Sequence, residues 1–151
     1  MIVENHRIAH RNVASKYYRF YPDEIELAVQ DFQSILEKHD YHPDGRMLFS
    51  ILSDPTSEIM SAEIFLPIWE NTFTIQEQEE IKFHSYLSIS PMIMTRVTDD
   101  FNEQSQVQFW ELMNYINQNS FQQNTPVFAE YKTTHSGSIF LEMSVGVKRL
   151  K

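Results

Sequence analysis

Cysteine is absent from this 151-residue chain, which excludes disulfides, thiolate metal sites and cysteine nucleophiles. That absence fits a reducing compartment, and a cytoplasmic location is expected. Glycine is scarce: three residues leave no material for a phosphate-cradling P-loop, a dinucleotide fingerprint or the glycine-flanked turn that presents a catalytic serine. No run of about 18 apolar residues occurs, and Met1 to His10 lacks a signal-peptide core, so neither membrane spanning nor signal-directed export is expected. Basic residues are also few, 12 against 21 acidic. The net charge of −9 repels a phosphate backbone and argues against general nucleic-acid binding.

What is present suffices for a core. With 42% hydrophobic and 13% aromatic residues, the chain reads as a single domain over residues 1–151. Its charge is uneven. Asp54, Glu58, Glu63, Glu70, Glu77, Glu79 and Glu80 fall in a stretch without Lys or Arg, whereas Arg7, Arg11, Lys16 and Arg19 face only Glu4 near the start. The acidic stretch reads as solvated surface or as a docking face for a basic partner.

The chain also repeats itself. Arg19 recurs as Arg96, Phe32 as Phe109 and Leu36 opposite Met113, while Ile64-Phe65-Leu66 returns as Ile139-Phe140-Leu141. The two copies, residues about 1–70 and 81–151, flank an acidic connector at about 70–83. In the first copy, alternation over Arg7 to Phe20 predicts a strand. Pro22, with Asp23 and Glu26 spaced as a capping box, predicts a helix whose apolar stripe is Ile25, Ala28, Val29, Phe32, Ile35 and Leu36. Strands are predicted at Arg46–Leu52 and Ser61–Ile68, the latter with Ala62, Ile64, Leu66 and Ile68 on one face and Glu63, Phe65 and Pro67 on the other.

The second copy repeats this order. An extended segment from His84 to Val97 contains Pro91, which predicts an edge or a bulge. A helix capped by Asp99 or Asp100 follows, then a hairpin of Thr125–Thr133 and Ser138–Lys148 around His135-Ser136-Gly137. Duplicated βαββ units predict an α+β fold: one antiparallel sheet with two helices on one face and the other face partly uncovered. Function is expected on that uncovered face.

No catalytic set, cofactor site or metal site is indicated. His39, Asp40, His42 and Asp44 cluster at a helix end, but paired imidazoles and carboxylates in an exposed turn commonly meet by accident. More suggestive are Tyr17, Tyr18, Trp69, Trp110 and Tyr131 with Glu63, Glu130 and Glu142, since a carboxylate framed by rings suits an organic cation. The bland alternative is that the rings pack the sheet and the glutamates are solvated.

The duplication, with Ala62-Glu63-Ile64-Phe65-Leu66-Pro67-Ile68 and Leu141-Glu142-Met143-Ser144-Val145-Gly146-Val147, resembles the GyrI-like effector-binding domains. That resemblance implies a stand-alone binder of amphipathic or cationic small molecules, with Glu142 the better candidate for the recognition carboxylate. Through Tyr17-Tyr18-Arg19-Phe20-Tyr21-Pro22 and the acidic connector, the chain also resembles the DUF5085 family of staphylococcal proteins. This second resemblance implies a non-enzymatic chaperone that binds a secreted nuclease toxin as cargo, with the type VII secretion ATPase as a further partner. The cargo-chaperone reading is the first expectation and the organic-cation binder its alternative.

Overall fold

The computed structural model describes residues 1–75 and 77–150; Gln76, the first residue of the polar connector run, and Lys151 lie outside the described residues. The elements are β1 (Val3–Phe20), α1 (Ile25–Lys38), β2 (Leu48–Ile51), β3 (Met60–Pro67), β4 (Lys82–Val97), α2 (Phe101–Gln118), β5 (Phe121–Thr133) and β6 (Ile139–Arg149). This is the predicted βαββ order, twice. β1 starts earlier than the alternation indicated, because Asn5 and Asn12 adopt left-handed φ values of 62° and 56° within it and break the pattern.

A short 3-10 turn at Pro22–Glu24 precedes α1. The helix therefore begins beyond Asp23, and Glu24 occupies its cap position without a side-chain cap bond, in place of the expected box. α2 starts where predicted, after Asp100, which takes a left-handed φ of 49° and also makes no side-chain cap bond. Phe32 and Leu36 of α1 are fully buried, each contributing about 2 kcal/mol by area burial. Their burial matches in α2 are Leu112 and Ile116 rather than Phe109 and Met113, which are only half-buried. Leu112 and Ile116 nonetheless belong to the apolar stripe Phe109, Leu112, Met113 and Ile116 that the spacing predicts, with the two echo residues at its margin.

Contacts divide the chain into two units. The N-terminal unit, residues 9–88, has β3 as its middle strand, antiparallel to β1 and to β2. Ala62, Ile64, Leu66 and Ile68 are all buried, as their spacing predicted. Phe65 and Pro67 on the opposite face are buried as well. Tyr41, Phe73 and Phe83 form a ring stack that pins the connector, with Phe73 and Phe83 5.2 Å apart and parallel within 2°.

The C-terminal unit comprises residues 1–8 with 89–151. Its middle strand is β6, antiparallel to β4 and β5, and α2 packs against β5 and β6. Leu141, Met143, Val145 and Val147 are buried on one face, and so are Glu142, Ser144 and Gly146 on the other. The β5–β6 register shifts between Gln123 and Val127. There Thr125 Oγ1 accepts the Gly146 N–H at 2.8 Å, and a Cβ on Gly146 would come within 2.7 Å of Thr125 Cγ2. Pro91 lies inside β4, after a cis peptide bond from Ser90.

The hydrogen-bonded strand order, β1-β3-β2-β5-β6-β4, closes into a barrel. This corrects the expectation of one open antiparallel sheet with both helices on one face and a second face partly uncovered. Period-two alternation tells which residues share a face of a strand. It carries no signal for whether strands curl until the ends of the sheet meet.

Candidate functional site

Glu142 gathers Arg96, Lys132 and His6 around one carboxylate. Its place on the middle strand β6 sets it opposite Arg96 of β4 and Glu130 of β5. Two buried carboxylates directly opposite one another are unfavourable unless cations intervene. Two cations do intervene. Arg96 Nε donates to Glu142 Oε2 at 3.0 Å, with Nη2 also at 3.0 Å. Lys132 Nζ lies 2.8 Å from Glu142 Oε1 and 3.9 Å from Glu130 Oε1.

His6 Nε2 approaches the same Oε1 at 3.9 Å. Lys132 Nζ is thus the near cation on Oε1, which is fully buried and has no further donor. Burial alone would raise the Glu142 pKa. Lys132, Arg96 and His6 outweigh burial and hold the carboxyl below its ordinary range, ionised at neutral pH. Burial dominates at His6, whose imidazole is pushed below its ordinary value and is therefore mainly neutral there. The Glu142 side chain is 4% exposed, whereas those of Lys132 and Arg96 are 41% and 59% exposed. The Arg96 guanidinium also lies 5.3 Å from the Phe140 ring centroid.

Glu63 sits on the middle strand of the other unit, opposite Tyr17 and Ser50. Ser15 donates its hydroxyl to Glu63 Oε2 at 2.7 Å, and His84 Nε2 lies 3.2 Å from the same hydroxyl oxygen. With the serine proton directed to Glu63, His84 serves as the donor to Ser15. Ser15 is fully buried, so this grouping orients a carboxylate and does not expose a nucleophile. Lys82 Nζ donates to the Tyr17 hydroxyl at 3.0 Å and lies 4.8 Å from its ring centroid; that hydrogen bond raises the Lys82 pKa.

The other sequence candidates separate from these two carboxylates. Tyr18 takes the opposite face of β1, meets the Phe32 ring at a 47° tilt and donates its hydroxyl to Asp31 at 2.8 Å. Tyr131 is opposite Leu141, on the aliphatic face, with its ring edge-on to Phe101 at 6.2 Å. Trp110, 45% exposed on α2, packs edge-on against Phe109. Trp69, 73% exposed, follows β3 and donates its backbone N–H to the His42 carbonyl. The structure thus brings Tyr17 beside Glu63. Of the histidine cluster, His39 approaches Glu79, His42 bonds Glu70, and Asp44 bonds Arg46.

Glu130 belonged to the acidic set read from the sequence, whereas Lys132 went unrecognised, His6 stood out only as one of a histidine pair with His10, and Arg96 figured only as a repeat marker. Their assembly depends on strand register, which no local pattern in β4, β5 or β6 specifies. No helix among the described residues is long and apolar enough to cross a membrane.

The family model described as Domain of unknown function (DUF5085) matches residues 9–148. No curated protein matches the sequence. Among solved structures, the chain is similar to EcmrR in an EcmrR–DNA complex within EcmrR-RPo, with TM-score 0.75 and 12% identity over 99% of this chain. It spans 58% of the length of that chain. The crystal structure of the EcmrR C-terminal domain gives TM-score 0.67 at 12% identity, covering 99% of this chain and 98% of that one. An uncharacterized conserved protein from Listeria innocua gives 0.56 at 11% identity, covering 95% and 91%. At such identities the likeness is one of fold alone.

Proposed function

The chain belongs to the DUF5085 family, and from that premise we propose that it is a non-enzymatic cytoplasmic binding module for a small organic cation, with Glu142 as the recognition carboxylate. The observation that carries this reading is Glu142 itself, ionised and buried, with Oε1 held by the part-exposed Lys132 ammonium and by no further donor. A ligand N–H would take over that oxygen. The Lys132 ammonium, already part-exposed, would swing into water as the ligand cation takes its place. Charge-assisted hydrogen bonds of this kind are among the stronger polar contacts available to a ligand.

The fold likeness supports this reading over the cargo-chaperone one. The site is a single buried carboxylate with its counter-charges, a scale suited to one cationic group rather than to an extended polypeptide. Fluorescence titration with a panel of cationic dyes and their neutral analogues tests it. Cationic members bind, Glu142→Gln weakens them at least about tenfold, and Lys132→Ala tightens them by removing the internal competitor. If the dyes bind Glu142→Gln as well as wild type, or none binds at all, the reading fails. Saturable binding of a secreted toxin to a chain that ignores the dyes would restore the cargo-chaperone expectation.

A further inference from the structure

A second concavity lies within the N-terminal unit, on the side of β1 that meets α1. The end of β1, the first turns of α1 and Ile59 enclose a cleft of about 520 Å³, within the range that holds small organic ligands. Its lining differs from ordinary solvated surface. Leu27 is 60% exposed, Tyr21 49% and Ile59 42%, so three large apolar groups face water around one hollow. Buried Phe20 and Ala28 join them.

The polar part of the lining has a definite sign. Glu24 and Asp31 contribute carboxylates and Arg19 the single cation. Asp23 and Glu26, in the same two turns of chain, add further negative charge. Tyr18 donates its hydroxyl to Asp31 Oδ2 at 2.8 Å. This bond fixes the Asp31 carboxylate and leaves its second oxygen available as an acceptor. An apolar hollow with a fixed carboxylate at its rim matches a molecule that joins a hydrophobic body to an ammonium group.

We propose that this cleft is a separate binding site for a small aryl- or alkylamine, its apolar part against Tyr21, Leu27 and Ile59 and its ammonium on Asp31. The site is independent of Glu142, and so is its test. Amide NMR of the full chain is followed during titration with phenethylamine, phenethyl alcohol and phenylacetate, three molecules of one shape and different charge. The amine shifts the signals of Tyr21, Leu27 and Ile59 saturably, the alcohol binds about tenfold more weakly, and phenylacetate does not bind there. Asp31→Asn weakens the amine about tenfold. Leu27→Lys, a change on an exposed helix surface, abolishes its shifts, and Glu142→Gln leaves them unchanged. Phenylacetate binding as tightly as the amine would assign the cleft to Arg19 and overturn the proposal. So would the absence of saturable amine shifts at Tyr21, Leu27 and Ile59, or an Asp31→Asn variant that binds the amine there undiminished.

Discussion

Each unit carries a glutamate on its middle strand, opposite the aliphatic stripe, and the two are solvated in contrasting ways. Glu142 is 3% exposed, faces a second carboxylate across the ladder and draws on Arg96, Lys132 and His6. Glu63 is half-buried, has Tyr17 and Ser50 opposite, and is met by one serine hydroxyl. The difference follows from burial. A carboxylate that retains water needs one good donor, whereas one stripped of water beside a like charge needs compensating cations.

The strongest way to break the comparison is to remove the cations. Arg96→Met with Lys132→Met leaves Glu142 and Glu130 buried without them, and unfolding in denaturant is expected to show a loss of about 3 kcal/mol or more. An unchanged midpoint would mean that water already solvates Glu142. Gly146→Ala, on the Glu142 face of β6, is expected to cost about 2 kcal/mol. The added Cβ collides with the Thr125 side chain and breaks the hydrogen bond that seats the bulge. Ser15→Ala removes the hydroxyl donor from Glu63, and since that carboxylate still reaches water, the expected loss is only about 1 kcal/mol. A loss as large as that of the double cation variant would erase the distinction between the units.

The finest test is titration by NMR. Burial lowers the His6 pKa, so as pH falls the unfolded chain takes up a proton first, and stability declines from about pH 6.5 downward to the folded value. Glu142, also lowered, adds a second decline: its pairing is intact above the ordinary carboxylate range and is lost as pH falls through the folded value. His42 has the opposite sign. Its hydrogen bond to Glu70 raises its pKa, so its contribution is present below about pH 6.5 and is lost as pH rises through the folded value. The two imidazoles should titrate on opposite sides of about 6.5, His6 below and His42 above. A shared midpoint would refute the assignment of His6 to a dry site.

Much of this architecture could be read from local pattern. The alternation of Ala62, Ile64, Leu66 and Ile68, the buried Phe32 and Leu36 and the hairpin at His135-Ser136-Gly137 all occupy their predicted places. Each depends on neighbours within one strand, one helix turn or one reversal. Closure of the strands does not, because it arises from twist and register accumulated over many residues. The site divides the same way. Glu142 stood out by its place opposite the aliphatic stripe, but Lys132 and His6 come from segments whose own patterns contain nothing that points to it. Tyr131 illustrates the converse: its residue type suggested a recognition ring, and the β5–β6 register turned it to the aliphatic face beside Phe101.

The partition of the chain has a consequence for its synthesis. Residues 9–88 are continuous, so the N-terminal unit has all of its chain while the second half is still being translated. The C-terminal unit takes residues 1–8 from the opposite end, and its strand β6 runs to Arg149. Residues 1–8 therefore stay without their partners in that unit until β6 has been made. Contacts of such long sequence separation close slowly. A molecule caught midway would carry one finished unit and one free strand, the segment that includes His6.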